Sequence, residues 1–189
     1  SRVGVSIAHD PERDDVRVLG CAVSDDASRV AVAGEGGTVA IWNVRTGERM
    51  PCEFKDRRYR IRSLRFSPDG SSLAIVAGDI VNRWDLDHQR FVDGTVRERD
   101  LVNGVRFLAG GKRMMTWSND GSVRLWEADT GDLIGVTVRL NEGVTSVVVN
   151  SDESEFVTLT ESGSIRTWRF PPAARDAFGG TNGTAMAMY

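Results

Sequence analysis

Residues 112–127 read KRMMTWSNDGSVRLWE. Two short β-type runs flank Ser118-Asn119-Asp120-Gly121, and the second run closes on Trp126. Asn, Asp and Gly tolerate the left-handed backbone that a tight turn demands. The same frame recurs at residues 30–42, 73–84 and 156–168: an apolar run, a polar or glycine-bearing turn, and a run closed by tryptophan. The closing residues are Trp42, Trp84, Trp126 and Trp168, each 42 positions after the last. A constant period of this length marks stacked structural repeats, each burying its apolar faces against its neighbours.

Working outward, each repeat supplies further strands. The first has an inner strand at 18–24, a turn at Asp25-Asp26-Ala27-Ser28 and a second strand at 29–33. Glu35-Gly36-Gly37 then turns into the run ending at Trp42, and Thr46-Gly47 leads to an outer strand at 48–54. Pro51 cannot donate to a ladder, so that strand is expected at an edge. The second repeat carries the strong turn Ser67-Pro68-Asp69-Gly70 and a shortened one at Gly78-Asp79; Gly94 weakens its outer strand at 91–96. Gly110-Gly111 and Thr130-Gly131 punctuate the third, and Pro171-Pro172 ends the pattern after the fourth.

No stretch holds a helical period, and turn signals recur about every 8–12 residues, the spacing of an all-β domain. Runs such as 30–33 and 147–149 are apolar on both faces and need cover on both sides, as blades stacked round an axis provide. Residues 2–8, RVGVSIA, resemble 133–140, LIGVTVRL, so the chain opens with an outer strand whose blade lies elsewhere. The Ala-, Gly- and Thr-rich stretch 171–189 is expected to be mostly disordered.

Bulk properties exclude several classes. The net charge of −3 argues against a general nucleic-acid surface. No apolar run reaches the length of a membrane-spanning helix. Cys21 and Cys52 form neither a metal set nor a disulfide framework and are expected as buried thiols of an intracellular, cytoplasmic protein.

These residues resemble the WD-repeat β-propeller family. The likeness rests on the 42-residue period, on Ser67-Pro68-Asp69-Gly70, on 119–126 (NDGSVRLW), and on Thr46-Gly47 and Thr130-Gly131 after the tryptophans. It implies propeller blades of four antiparallel strands at about 16–58, 59–100, 101–142 and 143–170, with 2–8 as a latching outer strand. The chain also departs from the family. Asn43, Asp85, Glu127 and Arg169 follow the tryptophans, so only the second repeat has a literal Trp-Asp pair. The Gly-His pair is absent, so the hydrogen-bond tetrad anchored by that histidine is not expected, and the blades should lean on packing. Four blades suit half of an eight-bladed ring completed by a homodimer, a fragment of a longer ring, or a closed four-bladed ring.

Chemistry is sparse. His9 and His88 are lone loop histidines, Asp14-Asp15 and Asp25-Asp26 are turn residues, and the Gly-Gly pairs lack the Lys-Ser/Thr of a phosphate cradle. No catalytic residue, metal or cofactor is expected. The arginines are the better lead: Arg17 precedes the first repeat, Lys55, Arg57, Arg58, Arg60 and Arg62 surround Tyr59, and Arg97 and Arg99 precede the third repeat. By resemblance these connectors line the upper rim, where family members bind partners. The run is either a solvated charge cluster or a docking patch for an acidic or phosphorylated peptide. Trp117 replaces the aliphatic Ala33, Val76 and Leu159 of the other repeats and either fills a gap between blades or anchors a partner. The expected role is a protein-interaction scaffold contacting a protein or peptide through Arg17, Arg58, Arg60, Arg99, Leu101, Trp117 and Asn119. The alternatives are a ligand-binding, lectin-like or enzymatic propeller with pockets between blades, or a sensor or structural module of a larger protein.

Overall fold

The computed structural model describes residues 18–52, 54 and 58–170. The proposed latch at 2–8, His9, Arg17, Lys55, Arg57 and the stretch 171–189 lie outside them. Blade 1 is the sheet β1 (Val18–Val23), β2 (Arg29–Gly34), β3 (Val39–Asn43) and β4 (Arg49–Met50), in that order. Blade 2 comprises β5 (Ile61–Phe66), β6 (Ser72–Ala77) and β7 (Ile80–Asp85), with β8 (Arg90–Phe91) and β9 (Val96–Arg97) both paired to β7. Blade 3 is β10 (Val102–Leu108), β11 (Arg113–Ser118), β12 (Ser122–Glu127) and β13 (Leu133–Arg139). Blade 4 has β14 (Val144–Val149), β15 (Glu155–Thr160) and β16 (Ile165–Arg169). All pairings are antiparallel, and no α-helix occurs among the described residues.

The tryptophans keep one register. Trp42 faces Val30, Trp84 faces Leu73, Trp126 faces Met114 and Trp168 faces Phe156 across the ladder. Trp42, Trp84 and Trp126 are buried, and Trp168 is half-buried against Phe156 and Phe170. The outer strands differ most from expectation. That of blade 1 pairs only at Arg49–Met50, next to Pro51. That of blade 2 breaks into two pieces around Gly94, whose φ is +90°. A Cβ at Gly94 would overlap the backbone of Thr130, so the break lets blade 2 approach the outer turn of blade 3.

The core is divided among the junctions between blades. Ala31, Ala33, Val39 and Ile41 of blade 1 pack on Ile61, Leu64 and Phe66 of blade 2. Val76, Val81 and Val96 of blade 2 meet Val102, Val105 and Phe107 of blade 3. Met115, Trp117, Val123 and Leu125 of blade 3 meet Val144, Val147 and Val149 of blade 4. Polar ties cross the same junctions: Arg29 donates to the Gly70 carbonyl, Arg83 pairs with Asp129 at 3.0 Å, and the Ala109 N–H donates to Glu153 at 2.9 Å. Cys21 departs from the expected burial. It is an exposed free thiol because no described blade covers that side of blade 1; Cys52 is half-buried.

Candidate functional site

One irregularity recurs in every inner strand. The register slips between Val18 and Gly20, between Ile61 and Ser63, between Val102 and Gly104, and between Val144 and Ser146. The extra residues are Leu19, Arg62, Asn103 and Thr145. A bulge bends its strand and re-aims the side chain it carries. Here it delivers these residues to the walls of two depressions on the rim. One, of about 390 Å³, is lined by Leu19, Arg58, Tyr59, Arg60, Arg62 and Leu101. The other, of about 500 Å³, is lined by Arg62, Asn103, Asn119, Thr145 and Glu161.

Arg62 joins the two. Its Nη1 donates to Asn103 Oδ1 at 2.9 Å, and Asn103 Nδ2 donates to Asn119 Oδ1 at 2.6 Å and to the Val144 carbonyl at 2.8 Å. The chain of bonds ties blades 2, 3 and 4 along the rim. Tyr59 lies over the Gly78-Asp79 turn, where a Cβ at Gly78 would overlap its ring. The Arg58 guanidinium sits 5.9 Å from the Tyr59 ring centroid, within cation–π range.

The turn bearing Asn119 is braced from inside. Trp126 Nε1 donates to Thr116 Oγ1 at 2.8 Å, and the Thr116 hydroxyl donates to the buried Glu98. Arg124, also buried, bridges Glu98 and Asp120, with 2.7 Å to the latter. Asp120 in turn accepts bonds from the Ser118 and Ser122 hydroxyls across the turn. Arginine stays protonated at neutral pH, so two carboxylates answer one buried cation. Burial lowers the Arg124 pKa, and nearby Arg139 adds to the effect. Blade 3 thus carries a polar network although the histidine-anchored one is absent. In blade 3 a glutamate from the connector occupies the role expected of a histidine. In blade 4, Glu142 accepts from Thr160 at 2.9 Å and from the Ser162 N–H at 3.2 Å. Hydrogen bonding by the Ser162 hydroxyl first, then by Thr160, holds its carboxyl below the usual range.

Of the residues expected at a partner site, Arg58, Arg60 and Leu101 line the first depression and Asn119 the second. Arg99 is exposed in the connector but lines neither, and Arg97 pairs with Asp79 at 2.8 Å. Trp117 is 8% exposed. Its ring lies against Gly104 and packs in the junction with blade 4. Leu19, Asn103, Thr145 and Glu161 escaped the sequence reading. The signal for the first three was a recurring tripeptide of aliphatic, variable and small residues: Val18-Leu19-Gly20, Ile61-Arg62-Ser63, Val102-Asn103-Gly104 and Val144-Thr145-Ser146. His88 is exposed and bonded to Asp85, and among the described residues no cluster of three metal-ligating side chains occurs.

Antiparallel sheets stacked face to face, tryptophan-closed in one register and bulged at one rim, form β-propeller blades. The family model for the WD domain, G-beta repeat, matches residues 3–43 and ends one residue after Trp42. That match accords with the WD-repeat resemblance read from the sequence, and three further sheets follow in the same register. Protein hir-1 of Neurospora crassa is 36% identical over 92 residues, and Protein HIR1 of Chaetomium globosum is 33% identical over 92. Protein HIR1 of Gibberella zeae is 36% identical over the same length. Each match covers 43% of this chain and only 9%, 8% and 9% of the respective relatives. The chain spans less than a tenth of the length of the curated relatives it matches.

Proposed function

We propose that the chain is a non-catalytic protein-interaction scaffold that offers its bulged rim to a peptide or domain. The observation behind this reading is the bulge at one register position in all four inner strands, which takes Leu19, Arg62, Asn103 and Thr145 out of the blade cores and onto one surface. The first depression combines three guanidinium groups with the apolar sides of Leu19, Tyr59 and Leu101. Guanidinium forks match carboxylate and phosphate oxygens, so the favoured partner is an acidic or phosphorylated segment carrying an adjacent apolar side chain. Arg99 extends the basic edge. Glu161, on the second depression, disfavours an acid there and fixes the polarity of a bound strand. An exposed free thiol at Cys21 suits a reducing, intracellular setting.

A second reading, a structural or sensor module of a longer protein, draws support from the small share of the relatives' length that is matched.

Fluorescence anisotropy tests the rim. The probes are a labelled glutamate-rich peptide with one leucine, its phosphoserine form and a lysine-rich control. The acidic probes should bind and the control should not. Arg60→Glu with Arg62→Glu should weaken binding at least about tenfold, or 1.4 kcal/mol. Equal binding by wild type and the double variant, or preference for the lysine-rich control, would reject this site.

A further inference from the structure

The two rim depressions differ in charge. Arg58, Arg60 and Arg62 line the first, whereas the wall of the second also carries Glu161. Glu161 sits in the turn between β15 and β16, at the repeat position of Asn119 in blade 3. Both turns are held from within. Asp120 and Arg124 fix that of Asn119, and Glu142 fixes that of Glu161 through the Thr160 hydroxyl and the Ser162 N–H. The Glu161 N–H donates to the Gly143 carbonyl at 3.1 Å. Gly143 lies between the two rim residues: a Cβ there would stand 2.7 Å from Glu161 Oε1 and 3.3 Å from the Asn119 Cα. Having no side chain, Gly143 lets the carboxylate lie over its backbone beside the turn of Asn119.

The hydrogen bonds leave two groups unspent here. Asn103 uses both Nδ2 hydrogens, on Asn119 Oδ1 and on the Val144 carbonyl, and its Oδ1 accepts from Arg62. Asn119 uses its oxygen, and its Nδ2 hydrogens have no acceptor among the described residues. The Glu161 carboxylate makes no hydrogen bond or ion pair among the described residues, and none joins it to Arg62. A charged acceptor and an amide donor on two braced turns match a cationic side chain and a main-chain carbonyl close to it. We propose that the second depression is a subsite for a lysine or arginine of the partner, whose cation pairs with Glu161 while a neighbouring main-chain carbonyl accepts from Asn119. This rests on the rim reading above and adds the other half of the partner's pattern. The acid goes to Arg58 and Arg60, and a basic residue follows in one direction along the rim. A segment acidic throughout sets like charge against Glu161, so the subsite selects by repulsion as well as attraction.

Fluorescence anisotropy with the full chain tests the subsite. The probes are the glutamate-rich leucine peptide, and the same peptide with one lysine placed C-terminal or N-terminal to the acidic block at a graded series of spacings. One order, at its best spacing, should bind at least about threefold tighter than the acid-only peptide, the size of an exposed ion pair. The other order should gain nothing. Glu161→Gln should cancel the gain and leave the acid-only peptide bound at least as tightly. Glu161→Lys should reverse it, so that glutamate in place of the lysine is preferred. Gly143→Ala should lose part of the gain by displacing the carboxylate, and it repeats the test if a variant at 161 fails to fold. With the acid-only peptide bound, no gain in either order, equal gains in both, or a gain that survives Glu161→Gln would overturn the subsite and leave the rim reading standing. A chain that binds no acidic peptide overturns the rim reading, and the subsite with it.

Discussion

Blades 2 and 3 share strand order, register and a buried closing tryptophan, yet they hold that tryptophan by different means. In blade 3 the indole N–H donates to Thr116 and joins the chain of bonds through Glu98, Arg124 and Asp120. In blade 2 the positions of Thr116 and Arg124 are filled by Ile75 and Asn82, and the buried Trp84 Nε1 has no partner among the described residues. Trp84 is held by packing, including an edge contact with Phe91 at 4.9 Å between ring centroids. The blade therefore does not require the polar network. What the network adds in blade 3 is a fixed 118–122 turn, and with it a fixed Asn119 at the rim.

The sharpest break in this comparison is to strip blade 3 of its cation. Arg124→Leu leaves Glu98 buried without its counter-charge and should destabilise by about 3–5 kcal/mol in urea titrations. Adding Glu98→Met to the same chain should recover most of that loss, bringing blade 3 towards the apolar solution of blade 2. Asn82→Leu in blade 2 should change the midpoint little.

A smaller effect separates the two indoles. Trp126→Phe removes the donor to Thr116 as well as ring volume, whereas Trp84→Phe removes only volume. The first should be the more costly by about 1–2 kcal/mol, the value of an unsatisfied buried polar group. Equal losses would mean that the hydrogen bond adds nothing.

Glycines at one register position sharpen the contrast between a filled and an unfilled junction. Gly104→Ala pushes a Cβ into the Trp117 ring and should cost about 1–3 kcal/mol as overpacking. Gly20→Ala has nothing within 4 Å and should be near neutral in the same thermal melt.

The smallest effect concerns the lower turns. Hydrogen bonds from Ser24 and Ser28 hold the Asp26 carboxyl well below the ordinary 3.8, and Ser67 does the same for Asp69. A carboxyl depressed on folding contributes stability that is fully present above its unfolded value and is lost as pH falls through the folded one. The contribution of these two turns should therefore be lost only as the pH falls below the ordinary 3.8. Side-chain carboxyl shifts followed by NMR should report both aspartates titrating below 3.8.

The period was legible because it is written in residues with few other uses: tryptophan at the end of a strand, and Asp, Asn and Gly in turns. The exposure of Cys21 was not, since a thiol in an apolar strand reads as buried unless no neighbouring blade covers it, and none does among the described residues. Glu98 and Arg124 were missed because their pairing spans 26 residues and a connector, and no local pattern links them. The bulge residues were hardest. Their chemistry differs from blade to blade, and only the small residue that follows each one keeps time with the repeat.

That variability has an evolutionary consequence. Leu19, Arg62, Asn103 and Thr145 occupy equivalent slots, yet none belongs to the buried clusters between the sheets. On the rim proposed to bind a partner, drift at such slots would change the chemistry offered there without emptying the apolar core between the blades. Of the four, Leu19 and Thr145 stand outside the bonds that tie blades 2, 3 and 4 and are the freest to vary.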